Sequence, residues 1–440
     1  MSEAQPKPVD RRRFLQAAGS TLALSAASYA NVVGSNTRVN LGFIGCGGRA
    51  QAHLNLIVRL ATDNRGVTPM AVCDVWDGLE DDYQQTYAGA TTTRHYGQGL
   101  YPAAKKCGLN PADRTRVTKD YRRLLELKDI DAVCISTPDH WHAKQTLDAF
   151  AAGKDVYVEK PMTRTTTEAV AVQLAGEASK RVLCVGVQQL ADPVYAMAQQ
   201  AIAAGQIGAV SQLSAGVYRN DDRGQWRFYR VAQQMNPRTV DWKMWLGTGL
   251  LNNDEATAFD PRTFAQWRCE QQFSSGPISD FLAGPLTRLL AVTGLRQPRR
   301  VLASGGLYVE QDGRSVPDVA TILAEFAPGA QLILTAATTS AYPMEELIRG
   351  RTGTIKFVKG GYLRIPDGPG TKLPPRLESE LPKGEFVSSN PPKNDTEAMW
   401  LNFLDCVRNN NPRTLCDANL GAAVSSILWQ AGESLNEHEA

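Results

Sequence analysis

The sequence predicts an α/β chain of two units: a doubly wound parallel sheet first, then an α/β domain with a large, mostly antiparallel open sheet. Two observations carry that expectation. From Arg38 to Pro161 short apolar runs alternate with segments of helical spacing, which implies right-handed crossovers and a parallel sheet. Beyond Pro161, β-rich stretches follow one another with turn residues such as Pro328-Gly329 between them, which favours antiparallel pairing. At 440 residues the chain exceeds one ordinary core, so two domains are the natural division.

The elements follow in order. A first strand over 39–44 leads into the turn Gly45-Cys46-Gly47-Gly48-Arg49-Ala50, and 50–61 carries Leu54, Ile57, Val58 and Leu60 at helical spacing. A second strand covers 67–75 and contains Asp74; residues 77–88 read as the next helix and the Gly-, Thr- and Pro-rich stretch 89–111 as an inserted loop. Strand 116–118, helical turn 121–127, buried strand 131–136 and helix 141–152 come next, and the run 155–158 closes on Glu159-Lys160-Pro161. Further on, 182–187, 210–218, 299–309, 320–326, 331–337 and 353–358 read as strands. Residues 165–179, 194–204, 280–292, 394–407 and the stretch from 419 read as helices. The expected division is 38–161 and 162–440, preceded by a separate segment 1–30.

That leading segment, Asp10-Arg11-Arg12-Arg13-Phe14-Leu15-Gln16 followed by an Ala/Ser/Leu-rich stretch, resembles a twin-arginine export signal. Its apolar part is too short and too interrupted for a membrane span. Ser28-Tyr29-Ala30 offers small residues for cleavage, so a periplasmic or otherwise exported protein beginning near Asn31, with no stable span after signal removal, is expected. The rest is ordinary globular composition, 43% hydrophobic and 21% charged, and a net charge of +2 without a basic run gives no nucleic-acid footprint. None of the eight cysteines forms a CxxC pair, which argues against a zinc knuckle or thioredoxin-type site, and Cys73, Cys134 and Cys184 lie in apolar runs as small buried hydrophobes.

Gly45, Gly47 and Ala50 match a dinucleotide fingerprint: glycines permit a tight turn and close approach of a pyrophosphate, met by a helix N-terminus. Asp74 stands 29 residues after Gly45, where a carboxylate accepts ribose hydroxyls and repels a 2′-phosphate. It favours NAD over NADP, although Arg49 keeps NADP open. Lys160, at the end of its strand, falls at the carboxyl edge of the sheet, where its ammonium can exchange a proton with a substrate hydroxyl. His140 and His142 sit at i, i+2 with no third ligand cluster in sight, so they are expected to line a pocket or cap a helix and no metal is expected.

Together, Gly45-x-Gly47-Gly48-Arg49, Asp74, Thr137-Pro138-Asp139-His140-Trp141-His142 and Glu159-Lys160-Pro161 resemble the glucose–fructose oxidoreductase/inositol dehydrogenase (Gfo/Idh/MocA) family. Asp241-Trp242-Lys243-Met244-Trp245-Leu246-Gly247, Phe259-Asp260-Pro261 and Trp267-Arg268 are similar to its exported bacterial branch. The resemblance implies a Rossmann domain, NAD(P), a carbohydrate substrate, and homo-oligomers formed through the C-terminal sheet; export of a folded protein adds the expectation that the dinucleotide is tightly held. The resemblance implies Gly45, Gly47 and Arg49 along the pyrophosphate, Asp74 at the adenosine ribose, and Thr137, Pro138 and His142 flanking the nicotinamide half, with Gly48, His140 and Gln188 as further cofactor-binding candidates. Glu159 becomes structural or cofactor-proximal, and Lys160 the catalytic cation, with His142 and Asp280 as further catalytic candidates.

One departure stands out. The family's helical histidine and the aspartate three residues later are replaced here by Gly284 and Thr287, while Leu190 stands where many relatives have arginine. Asp280 remains, either as a helix cap or as a proton-handling partner of Lys160. Tyr195 and Tyr218 are the other candidates to support the lysine. Three functions follow: an NAD(P)-dependent oxidoreductase transferring hydride to or from a sugar or cyclitol, an NAD-dependent glycosidase working by transient oxidation, or a weakly catalytic sugar-binding or partner subunit.

Overall fold

The computed structural model describes residues 38–439 apart from 88, 248, 251–256, 328 and 370–383, so the export segment and Pro328 lie outside the described residues. Apolar strands β1 (Val39–Ile44), β2 (Val67–Cys73), β5 (Val117–Thr118), β6 (Ala132–Ile135), β7 (Asp155–Glu159) and β8 (Leu183–Gly186) form one parallel sheet. Its order is β5-β2-β1-β6-β7-β8, the doubly wound Rossmann arrangement. β6, β7 and β8 are buried at every position, as expected of strands covered on both faces. β8 joins this sheet from beyond Pro161.

The second sheet is mixed and mostly antiparallel. It contains β9 (Val210–Tyr218), β10 (Pro298–Gly306), β11 (Val319–Phe326), β12 (Ala330–Ala337), β13 (Leu347–Gly350), β14 (Gly353–Val358), β15 (Gly361–Pro366) and β16 (Glu385–Ser388). Their order is β10-β11-β12-β9-β13-β14-β15-β16, and only the β12–β9 contact is parallel. The C-terminal helix Ala418–Glu439 joins the two units: it packs on the helix Thr166–Ser179 and on β10, where Ser434 Oγ accepts from the Ala303 N–H at 3.1 Å.

Two expectations are corrected. Residues 77–88 do not form a helix, and 89–111 is not a structureless loop. Strands β3 (Leu79–Tyr87) and β4 (Ala90–Gln98) pair as an antiparallel hairpin, followed by the helix Leu100–Lys106. Leu79 and Tyr83 are four apart and suggest a helix, but burial along 79–86 alternates strictly, and the Thr- and Tyr-bearing β4 supplies the strand partner. The expected helix 280–292 is likewise two pieces, Pro277–Asp280 and Ala283–Thr293, since Pro285 has no N–H to continue the ladder.

Candidate active site

Three successive neighbours in the parallel sheet bring the sequence motifs to one edge. β1 ends in Gly45, β6 is followed by Ser136-Thr137-Pro138, and β7 is followed by Lys160. Two strand spacings, about 10 Å, separate the first from the third. Gly45 has φ +83°, and a Cβ there would lie 2.8 Å from the backbone of Ser136 and Thr137, so only glycine lets β1 and β6 part at this switch point.

A cleft of about 1160 Å³ opens above this edge. Gly45, Gly47, Gly48, Arg49, Asp74, Thr137 and Pro138 line one wall; Tyr229, Arg230, Trp245, Trp267 and Arg268 line the other. Gly47 is the N-cap of the helix Gly48–Thr62, has no capping side chain and has open space where a Cβ would stand. Free helix N–H groups beside an open glycine suit a pyrophosphate, so the residues fit a dinucleotide. Asp74 binds the glycine turn itself: Oδ2 accepts from Cys46 N–H at 2.6 Å and Oδ1 from Trp76 N–H at 2.8 Å. Burial pushes its carboxyl up to about 6 despite these bonds and the Lys119 charge.

Glu159 is the hub of a buried network. Its Oε1 accepts from Arg49 Nε at 2.9 Å, His53 Nε2 at 2.8 Å and Gln188 Nε2 at 2.9 Å. The Trp400 indole N–H reaches His53 Nδ1 at 2.9 Å, which leaves the His53 proton on Nε2, facing Glu159. Burial alone would raise the Glu159 carboxyl, but Arg49 and the His53 hydrogen bond outweigh it and hold it well below the usual range. Arg49 thus reaches from the cleft wall to Glu159.

The two histidines lie behind the cleft lining. His140 Nε2–H donates to the Trp245 carbonyl at 2.9 Å, with its ring against Trp245 and Phe273. Burial brings its pKa down to about 3, so it is a neutral packing residue. The His142 nitrogens face two carbonyls, Pro161 O at 2.7 Å and Thr137 O at 2.9 Å, which ties the β6 and β7 loops together. Gln188 lies away from the cleft and also donates to Tyr157 Oη at 3.0 Å.

Lys160 Nζ donates to Asp280 Oδ1 and to the Asp280 carbonyl, each at 2.5 Å. Asp280 Oδ2 accepts from the Trp226 indole at 2.8 Å, and Arg268 Nε lies 3.6 Å from Oδ1. Burial would raise the Asp280 carboxyl, but Lys160 and Arg268 win and keep it ionised, well below its ordinary value. Asp280 is therefore the partner of Lys160 and not a simple cap. Where a histidine was expected, Gly284 leaves space bounded by Arg288 Nη1 at 3.5 Å and Gln189 Oε1 at 3.8 Å; Thr287 Oγ bonds back to Ala283 O at 2.6 Å. Arg288 is paired to Glu346 at 2.6 Å, and Tyr195 packs beside it.

Sequence reasoning missed His53, Trp226 and the role of Arg268. His53 lies on the buried face of the first helix, while Trp226 and Arg268 come from irregular segments with no periodic signal.

Comparison with known proteins agrees with this arrangement. Residues 39–187 match the Gfo/Idh/MocA oxidoreductase family, NAD-binding Rossmann fold. The α-N-acetylgalactosaminidase of Shewanella oneidensis is 30% identical over 181 residues, 36% of this chain and 35% of that protein, so the chain spans about a third of the length of the curated relatives it matches. An NAD-binding oxidoreductase from Klebsiella pneumoniae shares the fold at TM-score 0.63 and 18% identity, over 91% of this chain and 98% of that one. A levoglucosan dehydrogenase solved with NADH and levoglucosan does so at TM-score 0.60 and 17% identity, over 91% and 97%. The similarity to the Gfo/Idh/MocA oxidoreductase family is thus carried by the N-terminal Rossmann region of this chain.

Proposed function

We propose that this protein is an NAD-dependent oxidoreductase acting on a sugar, sugar derivative or cyclitol, with Lys160 handling the hydroxyl proton. The observation that carries the reading is the Lys160–Asp280 pair at the carboxyl edge of β7, joined to the dinucleotide-shaped cleft through Arg268. Nicotinamide bound there supplies the hydride acceptor or donor. Lys160 Nζ has three protons; two are engaged by Asp280, and the third is free for a substrate oxygen. In reduction it gives that proton to the carbonyl oxygen, and in oxidation it recovers it. Asp280 stays ionised and fixes the ammonium, which stabilises charge developing on the substrate oxygen. Asp74 favours NAD, and the engagement of Arg49 by Glu159 leaves it less suited to a 2′-phosphate.

A second reading is an NAD-dependent glycosidase using the same lysine in transient oxidation and re-reduction. It is supported by the glycosyl hydrolase family 109 proteins of Shewanella among the relatives. The Lys160–Asp280 pair speaks against a purely scaffolding subunit. Twin-arginine export of the folded, cofactor-loaded protein remains part of this reading.

The test is the ultraviolet spectrum and released dinucleotide of the purified protein, followed by a panel of sugars and aryl glycosides. Net NADH formation supports the dehydrogenase; glycoside cleavage with no net NADH supports the glycosidase. Absence of any bound or bindable dinucleotide overturns both.

A further inference from the structure

Arg268 is a charged group in excess of its local partners. Its side chain is 24% exposed, lines the cleft and stacks on the Trp267 ring, with the guanidinium carbon 4.1 Å from the centroid. The stacking fixes the plane and leaves five N–H groups at its edge. None of them makes a hydrogen bond to a described residue; the single charged contact is Asp280 Oδ1 at 3.6 Å. That carboxylate is already committed to Lys160 and Trp226. The neighbouring carboxyls act on it only from beyond contact distance, because Glu159 is paired with Arg49 and the buried Asp139 makes no ion pair within 4 Å. Two cations therefore share one carboxylate beside a substrate-sized opening.

We propose that Arg268 is a substrate-recognition residue that receives a carboxylate, so that the preferred substrate is a sugar acid and not a neutral sugar. The guanidinium fork matches a carboxylate bidentately, and the local excess of positive charge falls to zero when one enters. Lys160, on the other side of Asp280, then meets the substrate's reacting oxygen while Arg268 holds the acid group. This specificity rests on the oxidoreductase reading of the same cleft.

The experiment measures binding of D-glucuronate and D-galacturonate against D-glucose and D-galactose to the NADH-loaded protein at low ionic strength, read by calorimetry and by Trp fluorescence. Each uronate is expected to bind at least roughly tenfold more tightly than its neutral counterpart. Arg268→Gln should weaken uronate binding roughly 10- to 100-fold and so narrow or abolish the preference over the neutral sugars, with partial recovery in Arg268→Lys. Should Arg268→Gln fail to fold, a salt titration of the unsubstituted protein decides: the uronate preference must shrink as ionic strength rises. Absence of a carboxylate preference overturns the proposal. So does an Arg268→Gln effect on NADH retention in place of uronate binding, which would assign the guanidinium to the cofactor's phosphates. Tight uronate binding without hydride transfer would count against the proposed reaction and leave the carboxylate site standing.

Discussion

Glu159 gathers three donors on one oxygen from two elements: Arg49 and His53 from the first helix, Gln188 from the turn after β8. Replacing it with Gln removes the charge that Arg49 needs inside the fold. Glu159→Gln is expected to destabilise by about 3 kcal/mol, read by denaturant melts. The pH sign follows from its depressed acidity. The wild-type advantage is full above the ordinary glutamate range, about pH 4–5, and fades as pH falls below it. Asp74 gives the opposite sign. Its folded-state carboxyl is raised to about 6, so stability relative to Asp74→Asn should improve as pH drops from about 7 towards about 4. A flat difference across that interval would contradict the burial of Asp74. At this scale the sequence marked Gly45, Asp74 and Lys160 by chain position, and the structure has each directly after its strand at the sheet edge. The sequence left Asp280 open between a helix cap and a partner of the lysine, because that pair closes across 120 residues. His53 was hidden because helical spacing marks a face as buried without naming what it will touch, and the role of Arg268 because its short turn carries no periodic signal.

The parallel sheet was legible because its strands are continuous apolar runs between turn signals, and every such run became a strand. The β3–β4 hairpin was not, since its residues satisfy helical and strand spacing alike and only the cross-strand partner decides. That hairpin has a structural task. Asp81 forms a two-point pair with Arg230 at 2.6 and 2.9 Å, and Arg230 stacks over Tyr83 and Tyr96. Beside it, Trp76 bridges Val240, Asp77 N–H donates to Thr239 O, and Asp241 N–H donates to Val75 O. Backbone from beyond β9 is thereby strapped across the edge that carries Asp74. The strap is expected to slow escape of a bound dinucleotide. Arg230→Ala should accelerate NADH release by roughly tenfold, corresponding to about 1.4 kcal/mol, in a fluorescence chase. Unchanged release would remove the strap from the account of cofactor retention.

For the whole molecule, the two sheets divide the labour: the parallel sheet supplies the cleft floor, and the unit carrying the mixed sheet supplies Asp280, Trp226 and Arg268. The mixed sheet also bears a row of apolar side chains, Leu302 opposite Leu323 and Leu323 opposite Ile333, with Leu302 and Leu323 more than a third exposed. We expect a second copy of the chain to cover this row. Leu323→Asp should lower the mass measured by light scattering to that of a smaller species while circular dichroism stays unchanged. The central claim concerns the junction of the two units, where Lys160 meets Asp280. The most direct measurement is single-turnover hydride transfer in the cofactor-loaded Lys160→Met protein, with NADH retention followed in parallel. Loss of roughly 10²- to 10⁴-fold in rate with NADH retention intact is the predicted result; an unchanged rate would contradict the lysine-centred chemistry.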